Sequence, residues 1–377
     1  MTDLSFVRGE IVGQRPAPRR STGAVAWMKN NLFSSVGNTI MTVASVLFVL
    51  WLIPPLYNFL IGDAVFTDPE GLRGQACRIE GVGACWVFIR ARFGFFMYGF
   101  YPDSEIWRVN LMFAIGIVLI IPLLVPKMPF VRTAAVLFFV VYPVVAYFLM
   151  AGGIFGLRQV PTGQWGGLTL TLIISLIGII LSMPIGILLA LGRQSRLPII
   201  KACCVGFIEL WRAVPLITVL FMAAVMFPLF MPRGVSPDTL LRAIIGIVLF
   251  ESAYMAEVVR GGLQAMPRGQ YEASAALGLN KVKTMGLIIL PQALKHVIPG
   301  IVNTFIALFK DTSLVSIIGI FELLNTVRAA GSDVNWSSPT HAVTGYIFAA
   351  FVFWIFCFGM SRYSIYMEGR LHTGHKR

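Results

Sequence analysis

Apolar runs long enough to cross a lipid bilayer recur along the chain, at about residues 36–61, 109–125, 131–150, 166–191, 213–230, 239–259, 293–309 and 341–361. A helix of about 20 residues spans the ~30 Å hydrocarbon core of a bilayer, so each run is a candidate crossing. The pattern predicts an all-α, polytopic membrane protein with about 8 transmembrane helices. Composition agrees: 57% of residues are hydrophobic, only 12% are charged, and mean hydropathy is +0.80. Such a balance excludes a water-soluble domain, a disordered chain and a coiled coil.

A net charge of +13 would suit nucleic acid in a soluble protein, but here the basic residues first have to be sorted by side of the membrane. Placing residues 1–35, 126–132, 192–201, 260–295 and 362–377 on one side collects most of the 30 Lys and Arg there. The positive-inside tendency then predicts both termini in the cytoplasm and assigns the bilayer, not nucleic acid, as the environment. Residues 1–35 read as an uncleaved cytoplasmic arm, because the apolar stretch that follows is too long for a signal peptide. The long segment 62–108 falls outside. It carries Cys77 and Cys85, which either pair as a disulfide on that oxidising side or remain two thiols.

No cysteine or histidine spacing suits a metal; His296, His341, His372 and His375 are scattered. Seven Gly and Pro residues crowd 152–167 and mark a module boundary near residue 160. The chain therefore divides into an arm (1–35), a three-helix extension (36–160), a five-helix core (161–365) and a basic tail (366–377). Every residue that suggests chemistry lies in the core.

One segment of the core is too ordered for a passive loop. After crossing six, residues 270–277 are good helix formers; Gly278 can adopt the left-handed conformation that ends a helix, and Asn280 can cap a second helix over 281–290, stopped by Pro291. A helix, a tight turn and a helix result, with small residues Ala273, Ser274, Ala275 and Ala276 that let a partner approach closely. This is the form of a docking knob.

Tyr271-Glu272-Ala273-Ser274, Gly278 six residues after the Glu, Ile288 and Leu290-Pro291 have the spacing of the EAA motif, and residues 264–291 thus resemble the coupling element of bacterial ABC-importer permeases. Ser274 replaces the motif's usual second Ala. The resemblance extends over about 160–365 to the polar amino acid branch, through Gly167-Leu-Thr-Leu-Thr171, Glu209-Leu-Trp-Arg212, Ser252-Ala-Tyr254 and Lys310-Asp311-Thr312. The first three crossings and the 62–108 loop resemble the long permeases of general L-amino acid and glutamate/glutamine/aspartate/asparagine importers.

That resemblance implies a type I importer permease core in the bacterial inner membrane. It also implies a second permease subunit as heterodimer partner, two ATP-binding subunits, an extracytoplasmic amino-acid-binding protein and an L-amino acid substrate. No Walker A sequence occurs, so ATP and Mg belong on the partner ATPase, and this chain carries neither catalytic residues nor a cofactor of its own.

Residues for the solute path follow from the cost of polar groups in hydrocarbon. Glu251 lies near the middle of crossing six, with Ser252 and Tyr254 beside it; the group either meets the ammonium and polar atoms of an amino acid or is satisfied by a neighbouring helix. Lys310-Asp311-Thr312 interrupts the apolar run 297–324, predicting a break and a short helix over 314–324, either at the outer surface or exposed to an aqueous cavity. Pro299-Gly300 predicts a kink in the same crossing. Glu257 and Arg260, three apart, predict a local ion pair that can brace the coupling element. Residues 198–212 read as an interfacial helix feeding crossing five at Pro215. A secondary transporter would need intramembrane acids in related halves, and an intramembrane enzyme converging His, Ser or Asp; neither pattern is present.

Overall fold

The computed structural model describes residues 23–67, 74–125, 128, 130–154, 156–232, 237–336 and 338–371. Most of the predicted arm, and His372 and His375 of the tail, lie outside the described residues. The chain forms two compact units, one of residues 1–65 with 80–84 and one of 66–79 with 85–377.

In the first unit, helix α1 (Ala24–Asn31) precedes α2 (Val36–Tyr57), which Ser35 caps by accepting the Asn38 amide at 3.1 Å. Pro54 and Pro55 lack the amides needed to continue the α pattern, and a π-helical turn Asn58–Gly62 ends the span. Its side chains are almost all apolar and exposed, as suits a helix facing lipid.

The second unit holds α3 (Trp86–Tyr98), α4 (Ile106–Leu124), α5 (Val131–Val136), α6 (Tyr142–Ala151), α7 (Gly167–Arg193), α8 (Pro198–Ala213), α9 (Leu216–Phe221) and α10 (Thr239–Gln264). The chain continues through α11 (Arg268–Ala276), α12 (Lys281–Lys283), α13 (Leu290–His296), α14 (Ile298–Asp311), α15 (Leu323–Gly331) and α16 (His341–Leu371). The predicted outer loop 62–108 thus contains a helix, α3.

Among the described residues seven helical segments are long and apolar enough to span a bilayer. An eighth results if α8 and Leu216–Phe230, bent by 102°, count as one. The bend falls at Pro215, and the predicted fifth crossing is short: Leu216–Phe230 measures about 22 Å at the helical rise. Its π-helical turn Met222–Met226 and 3₁₀ turn Phe227–Phe230 break the α pattern further.

The core is built on α7 and α10, which run parallel and approach closely because small residues line the seam. A Cβ at Gly186 of α7 would sit 2.7 Å from Met255 of α10, and one at Gly178 would sit 2.9 Å from Leu308 of α14. α10 is the most deeply buried span, with Ala243, Gly246, Ala253 and Ala256 among its inward residues. α4 and α6 join the same apolar core through Val109, Met112, Tyr142 and Met150.

Two expectations for crossing seven change. Pro299 does not kink a helix; Val297 interrupts between α13 and α14, and Pro299 sits in the first turn of α14, where a missing amide costs nothing. The break after Asp311 is present, as a 3₁₀ turn Thr312–Ile318 ended by Gly319 at φ +80°. The following helix starts at Leu323 rather than 314, because the buried carboxylate of Glu322 caps it.

Candidate functional site

Two ends of the second unit can be told apart from contacts alone. At one end lie α3, the start of α7, α15 and the start of α16; at the other lie the ends of α7 and α10, α11–α13 and the last turns of α16. At the first end Cys77 and Cys85 are joined in a disulfide with Cα atoms 5.7 Å apart, and the Cys85 amide donates to Thr344 Oγ1 at 2.9 Å. Arg92 of α3 pairs with Asp333, and Gly99 passes Gly166 so closely that a Cβ would lie 2.3 Å from the Gly166 Cα.

The opposite end carries the predicted coupling element. Pro267 pre-sets the entry to α11, and Gly278 ends it at φ +72°. The Gly278 amide donates to Ala275 at 2.9 Å and the Leu279 amide to Ser274 at 3.1 Å, the paired bonds of a Schellman turn. Asn280 then accepts the Lys283 amide at 2.9 Å and starts α12.

The second arm differs from expectation in its extent. It continues through a π-helical turn Thr284–Ile289 into α13 and ends at His296, so Pro291 does not stop it. The wider π turn makes room for the proline ring where an α turn would press it against a carbonyl. Gln292 of α13 donates to Gln270 Oε1 of α11 at 3.2 Å and to the Ile288 carbonyl at 2.9 Å, tying the two arms together.

Within the element, Glu272 and Ala273 are exposed, as are Ala275, Ala276 and Gly278. Ser274 is the exception to the predicted small exposed surface: it is buried and donates to the Tyr271 carbonyl at 2.8 Å. Tyr271, Ile288 and Leu290 pack on the apolar cluster formed by α7, α10 and α13. Pro291 is exposed. Leu277, Val282 and Leu287 stand 75%, 80% and 70% exposed, an apolar ridge on the same element.

Where α10 meets the coupling element, Glu257 gathers three arginines. Its Oε1 accepts Arg193 Nη1 of α7 at 2.8 Å; its Oε2 accepts Arg260 Nε at 2.9 Å and stands 3.7 Å from Arg212 Nη1 of α8. Arg193 also reaches Glu209 of α8 at 3.0 Å. The local Glu257–Arg260 spacing is readable in sequence, but Arg193 and Arg212 arrive through tertiary packing.

The six solute-path candidates separate by exposure. Glu251, Ser252 and Thr312 are buried, and the two hydroxyls donate to their own helix carbonyls, Val248 and Phe309. Glu251 of α10 and Asp311 of α14 are electrostatic neighbours, Asp311 being half-buried. Tyr254 and Lys310 are exposed. The Tyr254 ring lies 4.9 Å from Phe250 and 5.7 Å from the Arg212 guanidinium.

Sequence reading missed three buried charged residues. Arg108 pairs with Glu105 at 3.1 Å and donates to the Arg158 carbonyl at 3.0 Å. Arg242 donates to Thr239 Oγ1 at 3.0 Å and to Ala224 in the π turn, and borders an otherwise apolar cavity of about 270 Å³ lined also by Trp211, Met222 and Met226. Glu322 accepts the amides of Leu324 at 2.8 Å and Asn325 at 2.7 Å, while burial pushes its carboxyl up to about 7. Buried charge near the end of a span was the signal available for each.

Residues 182–372 match the family described as binding-protein-dependent transport system inner membrane component. The inner membrane amino-acid ABC transporter permease protein YhdY of Escherichia coli (strain K12) is 53% identical over 360 residues, covering 96% of each chain. The glutamate/glutamine/aspartate/asparagine transport system permease protein BztC of Rhodobacter capsulatus is 38% identical, covering 100% of each. A solved structure described as an amino acid ABC transporter with histidines shares 28% identity, covers 54% of this chain and 92% of that one, and gives a TM-score of 0.48. On the family match and the two relatives, the chain belongs to the binding-protein-dependent transport system inner membrane component family.

Proposed function

We propose that this chain is the membrane-spanning permease subunit of an ATP-driven importer of polar L-amino acids, coupled to a separate ATPase through α11–α13. The observation that carries the reading is the helix, Schellman turn and helix at the end of the bundle, tied by Gln270 and Gln292 and joined to α14 through the single residue Val297. An element so braced moves as one body with the crossings it joins, which is what transmission of ATP-driven closure requires. The naming of YhdY and BztC supports amino acids as cargo.

The partners in this reading are a second permease subunit, two ATP-binding subunits holding ATP and Mg, and an extracytoplasmic binding protein. The coupling end faces the cytoplasm, and with it the end of α16. A disulfide at the far end supports that sidedness, since disulfides persist on the oxidising side. Residues 161–365 form the transport core, in keeping with the family match over 182–372. Along the solute path Tyr254, Lys310 and Asp311 meet the amino acid, while the buried Glu251, Ser252 and Thr312 shape the wall. Glu257 and Arg260 brace the coupling element.

The test is uptake of labelled L-amino acids in the native host lacking this chain, restored with wild type or Gly278→Val, under a protonophore with ATP maintained. Protonophore-resistant uptake with wild type and none with Gly278→Val, at equal membrane levels, is the expected result. Uptake that collapses with the proton gradient would sink the reading.

A further inference from the structure

Arg242, in the first turn of α10, is buried and has no ion pair among the described residues. Its partners are neutral oxygens, Thr239 Oγ1 and the Ala224 carbonyl, and its Nε finds no acceptor among those residues. A guanidinium has five N–H donors, so both its charge and part of its hydrogen-bonding capacity are left over. Asp238, one turn earlier, is committed elsewhere: its Oδ2 accepts the Leu240 amide at 3.0 Å, and its Oδ1 accepts the Thr162 hydroxyl at 2.7 Å. A buried cation without a counter-charge is strongly unfavourable, and the chain supplies none here.

The cavity of about 270 Å³ beside Arg242 has the form of a slot. Arg242, Ile245 and Leu249 line it along α10, spaced three and four apart, so it follows that helix for about 10 Å. Met222 and Met226 of the π turn form the facing wall. Ile245, Met222 and Met226 are exposed, so the slot opens on the outside of the chain. Its depth is set by α10, whose 26 residues make about 39 Å of helix and reach past a hydrocarbon core of ~30 Å at both ends. Arg242 lies about 5 Å from the start of that helix, at the edge of the core, where lipid phosphates begin.

We propose that this slot is a phospholipid site of the outer leaflet, in which the lipid phosphodiester pairs with Arg242 and one acyl chain lies along α10 over Ile245 and Leu249. That α10 starts at the outer face rests on the importer reading above. The two halves of the site match the two halves of the ligand: an uncompensated cation at the headgroup level, then an apolar channel running inward, parallel to the span, as an acyl chain does. A carboxylate from a second subunit would answer the charge and leave the channel needing another occupant. Glu251 stands about 13 Å further along α10, so the slot is separate from the solute path. A lipid held there fastens the irregular outer half of Leu216–Phe230 to α10.

The experiment uses the assembled importer, purified in detergent and titrated with phosphatidylglycerol brominated midway along its acyl chains. Bromine quenches a nearby indole, and Trp211 lines the slot, so the signal is the difference between the importer and its Trp211→Phe form. We expect saturable quenching, with half-saturation at about tenfold more lipid in Arg242→Met and at an intermediate value in Arg242→Lys. Ala223→Leu fills the slot from its wall with Arg242 in place and is expected to remove the quenching. An absence of saturable quenching overturns the proposal, as does quenching unchanged in both Arg242→Met and Ala223→Leu. Equal quenching by a brominated fatty-acid methyl ester, which has no phosphate, also overturns it. So does quenching present in the chain purified alone and absent from the assembled importer, which would give the slot to the second permease. If no ATP-binding subunit co-purifies with the chain, the importer reading fails; if one does and Trp211 stays unquenched, only this proposal fails.

Discussion

Arg193 of α7 and Glu257 of α10 meet at 2.8 Å, and through this pair α7, α8 and α10 are joined at the end of the bundle that carries the coupling element. Glu257 is the hub, since Arg212 and Arg260 share its other oxygen. Removing it leaves three cations facing one another with only Glu209 for company, a larger loss than removing any one arginine. Glu257→Gln is therefore expected to destabilise the purified chain by about 2 kcal/mol, and Arg193→Gln by less than half of that. Thermal unfolding in detergent checks the order. Equal losses would mean that the arginines do not act through Glu257.

Gly278 at φ +72° has nothing within 4 Å of where a Cβ would sit, so a substitution there meets strain in the backbone and no clash. Asn adopts the left-handed conformation more readily than β-branched residues. Gly278→Val is expected to cost about 1–2 kcal/mol in the turn and to abolish coupled uptake, whereas Gly278→Asn keeps most of it. The ratio of uptake by the two variants at matched membrane level is the measurement. Parallel loss in both would point to an exposed surface needed by the partner, rather than to the turn.

Features set by a few consecutive residues were legible in sequence. Gly278 and Asn280 each act on their own backbone, and the outline of the coupling element followed from them. Apolar runs gave the spans because length against bilayer thickness is a local property. What escaped depends on partners far along the chain. The start of α15 at Leu323 requires Glu322 to be buried, and that burial comes from packing against the first turn of α7, where Thr171 Oγ1 accepts the Leu323 amide at 3.0 Å. The exposure of Lys310 and the burial of Glu251 likewise follow from which helices flank α14 and α10. Spacing places both in spans but says nothing of the side they face.

Arg108 shows how a buried charge can hold a connection in place. It is fully buried, paired with Glu105, and donates to the Arg158 carbonyl in the link between α6 and α7; its guanidinium lies 5.7 Å from the Tyr101 ring. Arg108→Met is expected to leave Glu105 and the Arg158 carbonyl without their partner and to cost about 3 kcal/mol. Arg108→Lys recovers only part, because an ammonium cannot bond two directions with the planar spread of a guanidinium. Proteolysis within 152–160 during thermal melting reports it: faster cleavage in Arg108→Met is the expected outcome, and an unchanged rate would assign the link's order to other contacts.

Glu322 makes the fold's stability depend on pH in an unusual direction. Burial is the main cause of its raised value of about 7, opposed by the amides of Leu324 and Asn325. In the unfolded chain the group titrates near the ordinary Glu value of about 4.3. Between these two values the native form keeps a proton that the unfolded form has lost, so stability falls as pH rises. The favourable contribution is present in full below the unfolded value and is gone above the folded one. A gap of this size corresponds to something on the order of 3 kcal/mol. Glu322→Gln keeps an oxygen to cap α15 but cannot ionise, so its melting temperature should not fall through this window while that of wild type does. Melting curves of both proteins between pH 5 and 8 decide the matter. Parallel curves would show that Glu322 holds the same charge in the folded and unfolded chains, and that its two amide bonds, not burial, govern the site.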